Sequence, residues 1–475
     1  MIKKPINKTI LKQALIILFF ASLFGACVSN KNLTHNYDLK GVEQLKSDVD
    51  FAYKKLQKLH PRLYWYISKE DLDYKFDSLK SSLTAPMTSG DFYFKLSPVI
   101  SSIKQGHTRL QPKIERVSFK DIFTQAENRG ASLYQFDYEM FDDKLYVVKN
   151  VSGDMNIKPG TEVVSVNHFK PDDFISKYRN TFASDGYNRT YTDRRLSKGF
   201  PDFFYMNYDI TDSVFCQLKY NDTIQTICLK EKVTSAPIKD SITTGQGAIE
   251  GGAKNKSGKT KKGRGHGFFD ATNSKDLIFS NSDSTTAILK IENFYDGIYN
   301  RFYSNVFRQL DSLKTENLII DLRDNPGGEL GETRCLFSHL VDTSFIFIDK
   351  SEVTSETSIL HAKYFKGNPL VAKVFLALLY PFELLSRGML ASMVQKGDDN
   401  RYYIPFPESL SSSSKPNSFK GKVYVLINGG TFSASCLLAS NLKGSKRAFF
   451  VGEETGGAAN GTVAGKIAAF ILPKS

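Results

Sequence analysis

Apolar residues recur at three- and four-residue steps through Val42, Leu45, Val49, Tyr53 and Leu56, the stripe of an amphipathic helix. Two more helical stretches follow, around residues 69–83 and 89–103, and the pattern closes in Gln105-Gly106-His107-Thr108-Arg109-Leu110. Residues 28–115 therefore read as a helical domain. From 117 to 235 the periodicity shortens: 145–148 is a strand, Pro159-Gly160 a turn, and 162–167 the next strand, in a β-rich module with one helix. Residues 242–266 are rich in Gly, Lys and Ser with almost nothing to bury, so 236–284 reads as a flexible linker. Over 285–475 strands and helices alternate. Strand 286–291 precedes a helix with Ile298, Phe302, Val306, Leu310 and Leu313 on one face; then come strand 318–322, helix 331–340, strand 423–427, helix 434–443 and strand 448–451. The expected fold class is multidomain α/β (α+β), with a βαβ-layered C-terminal domain.

The front end modifies this picture. Met1-Ile2-Lys3-Lys4, with further lysines at 8 and 12, precedes an apolar stretch over 14–26 that ends at Cys27. A basic segment and an apolar segment too short for a permanent bilayer span predict a signal peptide over 1–27. Gly25-Ala26-Cys27 resembles the lipobox of a bacterial lipoprotein, with Phe24 in place of the usual leucine, so ordinary signal cleavage stays open. The resemblance implies lipidation of Cys27 and a bacterial envelope location, membrane-anchored and periplasmic or surface-exposed. Farther on, the apolar run over 374–382 lies in a stretch that also holds Lys373, Pro381, Glu383 and Arg387. Those residues argue against a spanning helix and leave two readings, a buried insertion or a patch dipping into the membrane.

The chain has 63 Lys and Arg against 50 Asp and Glu, an excess partly due to the leader and the linker. No nucleic-acid motif accompanies the charge, so a solvated surface is expected rather than a nucleic-acid partner. Beyond Cys27 the cysteines are 216, 228, 335 and 436, too few and scattered for a disulfide framework or a metal site. Cys216 and Cys228 flank the turn at Tyr220-Asn221-Asp222, which is compatible with one disulfide across a hairpin. No HExxH, CxxC or phosphate loop is present, and no cofactor or metal is expected.

Two segments carry chemistry. The strand 423–427 stops at Asn428-Gly429-Gly430, and Ser433-Ala434-Ser435 then opens a helix. A serine at such a turn is held out of the sheet beside free backbone N–H groups and a positive helix end, as a hydrolase nucleophile needs. The alternative is that Ser433 only caps the helix. The strand 317–321 runs into Leu322-Arg323-Asp324-Asn325-Pro326-Gly327-Gly328, where paired glycines let the backbone approach a ligand and aim N–H groups at developing negative charge.

Together DLRDNPGG, GGTFSAS and VGEETGG, in this order and strand context, resemble the C-terminal processing (tail-specific) serine peptidases. The resemblance implies a crotonase-like catalytic domain, a PDZ-like module within 117–235, and polypeptide substrates. It further implies that Ser433 is the nucleophile, that Gly328, Gly327 and Ala434 form the oxyanion hole, and that Arg323, Asn325 and Thr455 support them. In one branch of the family the base is a lysine soon after VGExTxG, but Ala458 occupies that position and the nearest lysine beyond is Lys466. The tricorn-like branch takes a histidine from the helical domain, which His107 matches, and an acid well downstream of the serine. That acid is expected beyond Ser475, since 467–472 reads as a strand on which the chain stops. Cys436, one turn behind Ser433, reads as buried packing. The alternative function is a catalytically inactive relative that binds peptides or ligands in the envelope. Oligomeric state is not legible.

Overall fold

The computed structural model describes residues 39–111, 132–207, 213–230, 274–280, 284–295, 297–358, 385, 388–463 and 469–475. The leader with Cys27, residues 374–382, most of the 236–284 span and Lys466 lie outside the described residues.

Three helices, α1 (Val42–Leu59), α2 (Lys69–Ser82) and α3 (Ser89–Ser101), pack Leu45, Val49, Leu72, Phe76, Phe92 and Leu96 into one core. Ser68 and Thr88 start α2 and α3 by accepting from the backbone N–H of Asp71 and Asp91, at 3.0 and 3.1 Å. The chain leaving α3 carries His107.

The next unit is a five-stranded antiparallel sheet in sequential order, β1 (Phe136–Phe141), β2 (Lys144–Asn150), β3 (Thr161–Val166), β4 (Ser213–Tyr220) and β5 (Thr223–Lys230). Between β3 and β4 run α4 (Pro171–Tyr178), α5 (Thr190–Lys198) and α6 (Phe200–Asn207), where one helix was expected. The additional helices are short, and their aromatic spacing, including Phe200 and Phe204, serves helical as well as extended burial. The disulfide that the positions of Cys216 and Cys228 left open does not form, and both thiols are free. Asn221 and Asp222 make a tight two-residue turn at positive φ, which puts Cys216 opposite Ile227 and Cys228 opposite Phe215. The thiols therefore sit on opposite faces, Cys216 buried and Cys228 exposed.

The C-terminal layer is a second five-stranded sheet. Its members are β6 (Lys275–Phe279), β7 (Thr286–Ile291), β8 (Asn317–Asp321), β9 (Lys422–Ile427) and β10 (Ala448–Gly452), in the spatial order β10-β9-β8-β7-β6. Strands β7 to β10 are parallel and β6 is an antiparallel edge. Strand β6 lies in the span read as linker; five alternating residues beside a Gly- and Lys-rich stretch gave no separate signal. Helices α7 (Tyr299–Ser312), α8 (Leu330–Ser338) and α9 (Ala434–Gly444) cover the sheet. Leu289, Ile291, Leu318, Ile320, Val423 and Val425 fill the core with Tyr303, Phe307 and Leu336. The tail departs from expectation. Residues 469–475 are not a strand; Leu472 packs on the helical domain, and the backbone N–H groups of Lys474 and Ser475 bond the Asp48 carboxylate.

One consequence decides the site. Strands β8 and β9 are direct neighbours, with Leu318 opposite Val423 and Asp321 opposite Leu426. Parallel pairing brings both carboxyl ends, and the loops that leave them, to the same edge of the sheet.

Candidate active site

The loop after β9 turns through Asn428–Phe432 into α9, and Ser433 sits at the turn with φ 56° and ψ −125°. This is left-handed backbone for a non-glycine residue and costs on the order of 1–3 kcal/mol, a strain typical of functional turns. Ser433 occupies the helix-cap position, yet its side chain caps nothing. Its Oγ lies 3.1 Å from His107 Nε2, across 326 residues of sequence. The capping alternative is thereby set aside.

His107 arrives on the loop after α3. Gly106 can be nothing larger, since a Cβ there would meet the Phe432 ring at 2.6 Å. The imidazole stacks on Phe432 with ring centres 4.8 Å apart, and Tyr191 of α5 stacks on Phe432 in turn at 4.3 Å. Burial, reinforced by Arg109, lowers the His107 pKa from its usual 6.5 to about 4. At neutral pH the ring is therefore uncharged and able to accept a proton.

The second loop, after β8, is organised by Asn325, which is fully buried. Its Nδ2 donates to the Ile291 carbonyl at 2.9 Å, while its Oδ1 accepts from Gly327 N–H at 2.9 Å and from Ser435 Oγ at 2.6 Å. One side chain thus ties β7, the glycine pair and α9 together. Gly327 was expected to be an oxyanion donor, but its N–H is already given to Asn325. Its lack of a side chain is what matters, because a Cβ there would come within 2.7 Å of Ala434 N and 2.8 Å of Ser433 Cβ. Gly328 makes a parallel bridge to Phe294 in which the neighbouring residues supply the bonds, from Phe294 N to Gly327 O and from Glu329 N to Phe294 O. Its own N–H then faces the other way. Gly328 lines the same cleft as His107 and Ser433. Among the described residues the N–H groups of Gly328 and Ala434 have no hydrogen-bond partner, Ala434 being the first residue of α9.

The remaining predicted residues stand farther back. Arg323 makes a two-pronged ion pair with Asp321 at 2.9 and 2.8 Å and does not join the His107–Ser433 pair. Thr455 bonds Cys436 Sγ at 3.2 Å and the Gly457 carbonyl at 2.9 Å, bracing the loop behind the Ser433 turn. Cys436 is buried and its thiol pKa is raised by that burial, as a packing residue's would be.

Sequence reasoning missed four groups. Asp324 has φ 62° and is gripped by Arg194 of α5 at 2.6 and 2.7 Å and by Lys198 at 2.6 Å. Burial would raise its pKa, but these cations overcome it and hold the carboxyl well below the usual range. Arg194 also pairs with Glu139 of β1, so the antiparallel module is bolted to the glycine loop. Asn428 Oδ1 accepts from Asp324 N at 2.9 Å and Gly430 N at 3.0 Å, locking the two loops to each other. Thr462 and Asp185 lie behind His107. No spacing signal marked any of these, because each works through a partner more than a hundred residues away or in a loop of ordinary composition.

Residues 285–466 match the model of peptidase family S41. Among solved structures, mature CPAF aligns with a TM-score of 0.52 at 15% identity, covering 87% of this chain and 84% of that one. The structure of mature CPAF complexed with lactacystin gives 0.51 at 16% identity, with 87% and 85% covered. The photosystem II D1 C-terminal processing protease aligns over 86% of this chain and 81% of that one, at 13% identity and a TM-score of 0.36. At such identities the two CPAF alignments show a shared fold. No curated protein matches the chain.

Proposed function

We propose that the chain is a serine-type peptidase, since residues 285–466 match the model of peptidase family S41, and that Ser433 is its nucleophile and His107 its base. His107 Nε2 takes the hydroxyl proton as Ser433 Oγ attacks the peptide carbonyl. The N–H groups of Gly328 and Ala434 receive the charge that develops on the carbonyl oxygen. The proton then passes from Nε2 to the departing amine, and water, deprotonated by the same ring, releases the acyl group. The observation that carries this reading is the 3.1 Å contact of an uncharged histidine with a serine on a strained turn. Ala458, where one branch of the family has lysine, fits a histidine base.

The substrates proposed are polypeptides presented as chain ends. The antiparallel β1–β5 sheet supports a PDZ-like role, since its outer strands offer edges to which an extended peptide could add. The parallel layer under the site fits the crotonase-like reading. For location we propose the bacterial envelope, with a lipid on Cys27, on the strength of the basic and apolar leader. Among the described residues no helix is long and apolar enough to cross a membrane.

A fluorophosphonate probe tests the chemistry: wild type becomes labelled on Ser433, and Ser433→Ala and His107→Ala do not. Equal labelling of His107→Ala overturns the base assignment. Mass spectrometry of the membrane fraction should find acyl chains on Cys27, and an unmodified N-terminus elsewhere removes the anchor.

A further inference from the structure

The far nitrogen of His107, Nδ1, meets Thr462 Oγ1 at 3.1 Å. Behind it lies Asp185, which is 1% exposed. Its loop is pinned on both sides: Asp185 Oδ1 accepts from Gly106 N–H at 2.7 Å, its own N–H donates to Gly456 O at 3.1 Å, and Gly186 N–H donates to Lys104 O at 2.8 Å. The carboxyl is thus built in between the histidine loop and the VGEETGG loop. Its other oxygen, Oδ2, is buried without a partner at hydrogen-bond length among the described residues. The Thr462 hydroxyl lies toward this carboxyl and favours its charged form.

We propose that Asp185, acting through the Thr462 hydroxyl, is the positioning residue that fixes the tautomer of His107. The argument is one of donor counting. A carboxylate can only accept, and Oδ2 still lacks a donor, so the Thr462 hydroxyl turned toward it would spend its single proton there. Its oxygen is then left to accept from Nδ1, which must carry the ring proton. Nε2 is thereby the bare nitrogen facing Ser433, as a general base requires. With Asp185 uncharged, the hydroxyl is free to donate to Nδ1 instead, and the ring proton moves to Nε2, where it blocks the reaction. Burial raises the Asp185 pKa to about 6, against the pull of the Gly106 N–H and the Thr462 hydroxyl. The other titratable groups around the pair are Arg109 beside His107, and Tyr66 and Cys436 near Asp185.

The kinetic consequence rests on the proposed roles of Ser433 and His107; the tautomer does not, and the two are measured separately. Selective nitrogen-15 labelling of histidine in the full chain reads the His107 tautomer by NMR without any turnover. Wild type should show the Nδ1–H form at pH 7, and Asp185→Asn, which keeps an acceptor for Gly106 N–H, should populate the Nε2–H form. Thr462→Val should lose the preference and Thr462→Ser restore it. Fluorophosphonate labelling should slow by about 10- to 100-fold in Asp185→Asn and Thr462→Val, below the full wrong-tautomer loss because a hydroxyl intervenes. The double variant should be no slower than either single one. In wild type the labelling rate should drop as pH falls through about 6, an inflection that Asp185→Asn lacks. An unchanged tautomer in Asp185→Asn overturns the inference, whatever the activity. A shifted tautomer with no labelling of wild-type Ser433 instead upholds it and defeats the proposed nucleophile.

Discussion

Replacing Asn325 with alanine should damage the site and the sheet beneath it together. The change strips partners from the Ile291 carbonyl, the Gly327 N–H and the Ser435 hydroxyl at a fully buried position. An orphaned buried polar group costs about 1–3 kcal/mol. Three of them total about 3–6 kcal/mol once some relaxation is allowed, a large part of the roughly 5–15 kcal/mol that holds an ordinary domain. Ser435→Ala is the internal control: it removes one of the three bonds and should cost about 1 kcal/mol. Because the chain has several cores, the measurement must be local. Amide hydrogen exchange over residues 286–291 and 317–328 reads the opening free energy of β7, β8 and their loop directly. Peptides from 42–59 should exchange as in wild type, since α1 lies in a separate core. Probe labelling of Ser433 at a temperature where the variant is folded should fall by at least about tenfold, because the glycine loop is no longer pressed against Ala434. If Asn325→Ala changes local opening by less than 1 kcal/mol, the three bonds are not what holds the loop, and the account of the site is wrong.

Other outcomes follow from the same geometry. Gly328→Ala places a Cβ 2.1 Å from the Phe294 carbonyl oxygen at φ +147°, so it should displace the N–H from the oxyanion position and slow acylation by about 100-fold or more; a wild-type rate would mean that the loop is only structural. Arg194→Met removes the two-pronged grip on Asp324 while leaving Lys198, and hydrogen exchange over 322–329 should report a loss of about 1–3 kcal/mol, reduced because the pair is partly exposed; unchanged exchange would show that the module does not brace the loop. His60 is buried with its pKa lowered to about 4 by burial, Nδ1 donating to the Pro61 carbonyl and Nε2 accepting from Thr108. The unfolded ring titrates near 6.5, so between pH 6.5 and 4 the unfolded state binds the extra proton and stability declines as pH falls. The loss is on the order of 3 kcal/mol for this group, and exchange of the 42–101 peptides in His60→Gln should lack that part of the pH dependence; an identical acid profile would refute it.

The order of elements was readable because burial imposes a period. The stripe of α1, the strands β7 to β9 and the helices between them follow from where apolar residues recur. Ser433 and the glycine pair were readable because a turn between strand and helix has few chemical solutions. What escaped was everything decided by distance in space. The sequence could place Cys216 and Cys228 near one hairpin, but a one-residue register set by the Asn221-Asp222 turn puts them on opposite faces. It could offer Gly327 and Gly328 as equal donors, but only the folded loop shows that Asn325 has already claimed the first. Nor could it show that the Thr462 hydroxyl would meet His107 Nδ1, or that Asp185 would be pinned to the histidine loop through Gly106 N–H, since neither residue has a local signature.

Local sequence determined which segments could bury a face and which turns could hold a strained serine, because those depend on neighbours within a few positions. The tertiary structure alone decided that β8 and β9 would lie side by side, and that a histidine 326 residues away would face Ser433. It also decided that Arg194, Asn428 and Asp185 would complete the surroundings. Such pairings are fixed by the packing of whole layers, where a hydrogen bond is made or lost over less than an ångström, and no pattern along the chain carries distance at that precision.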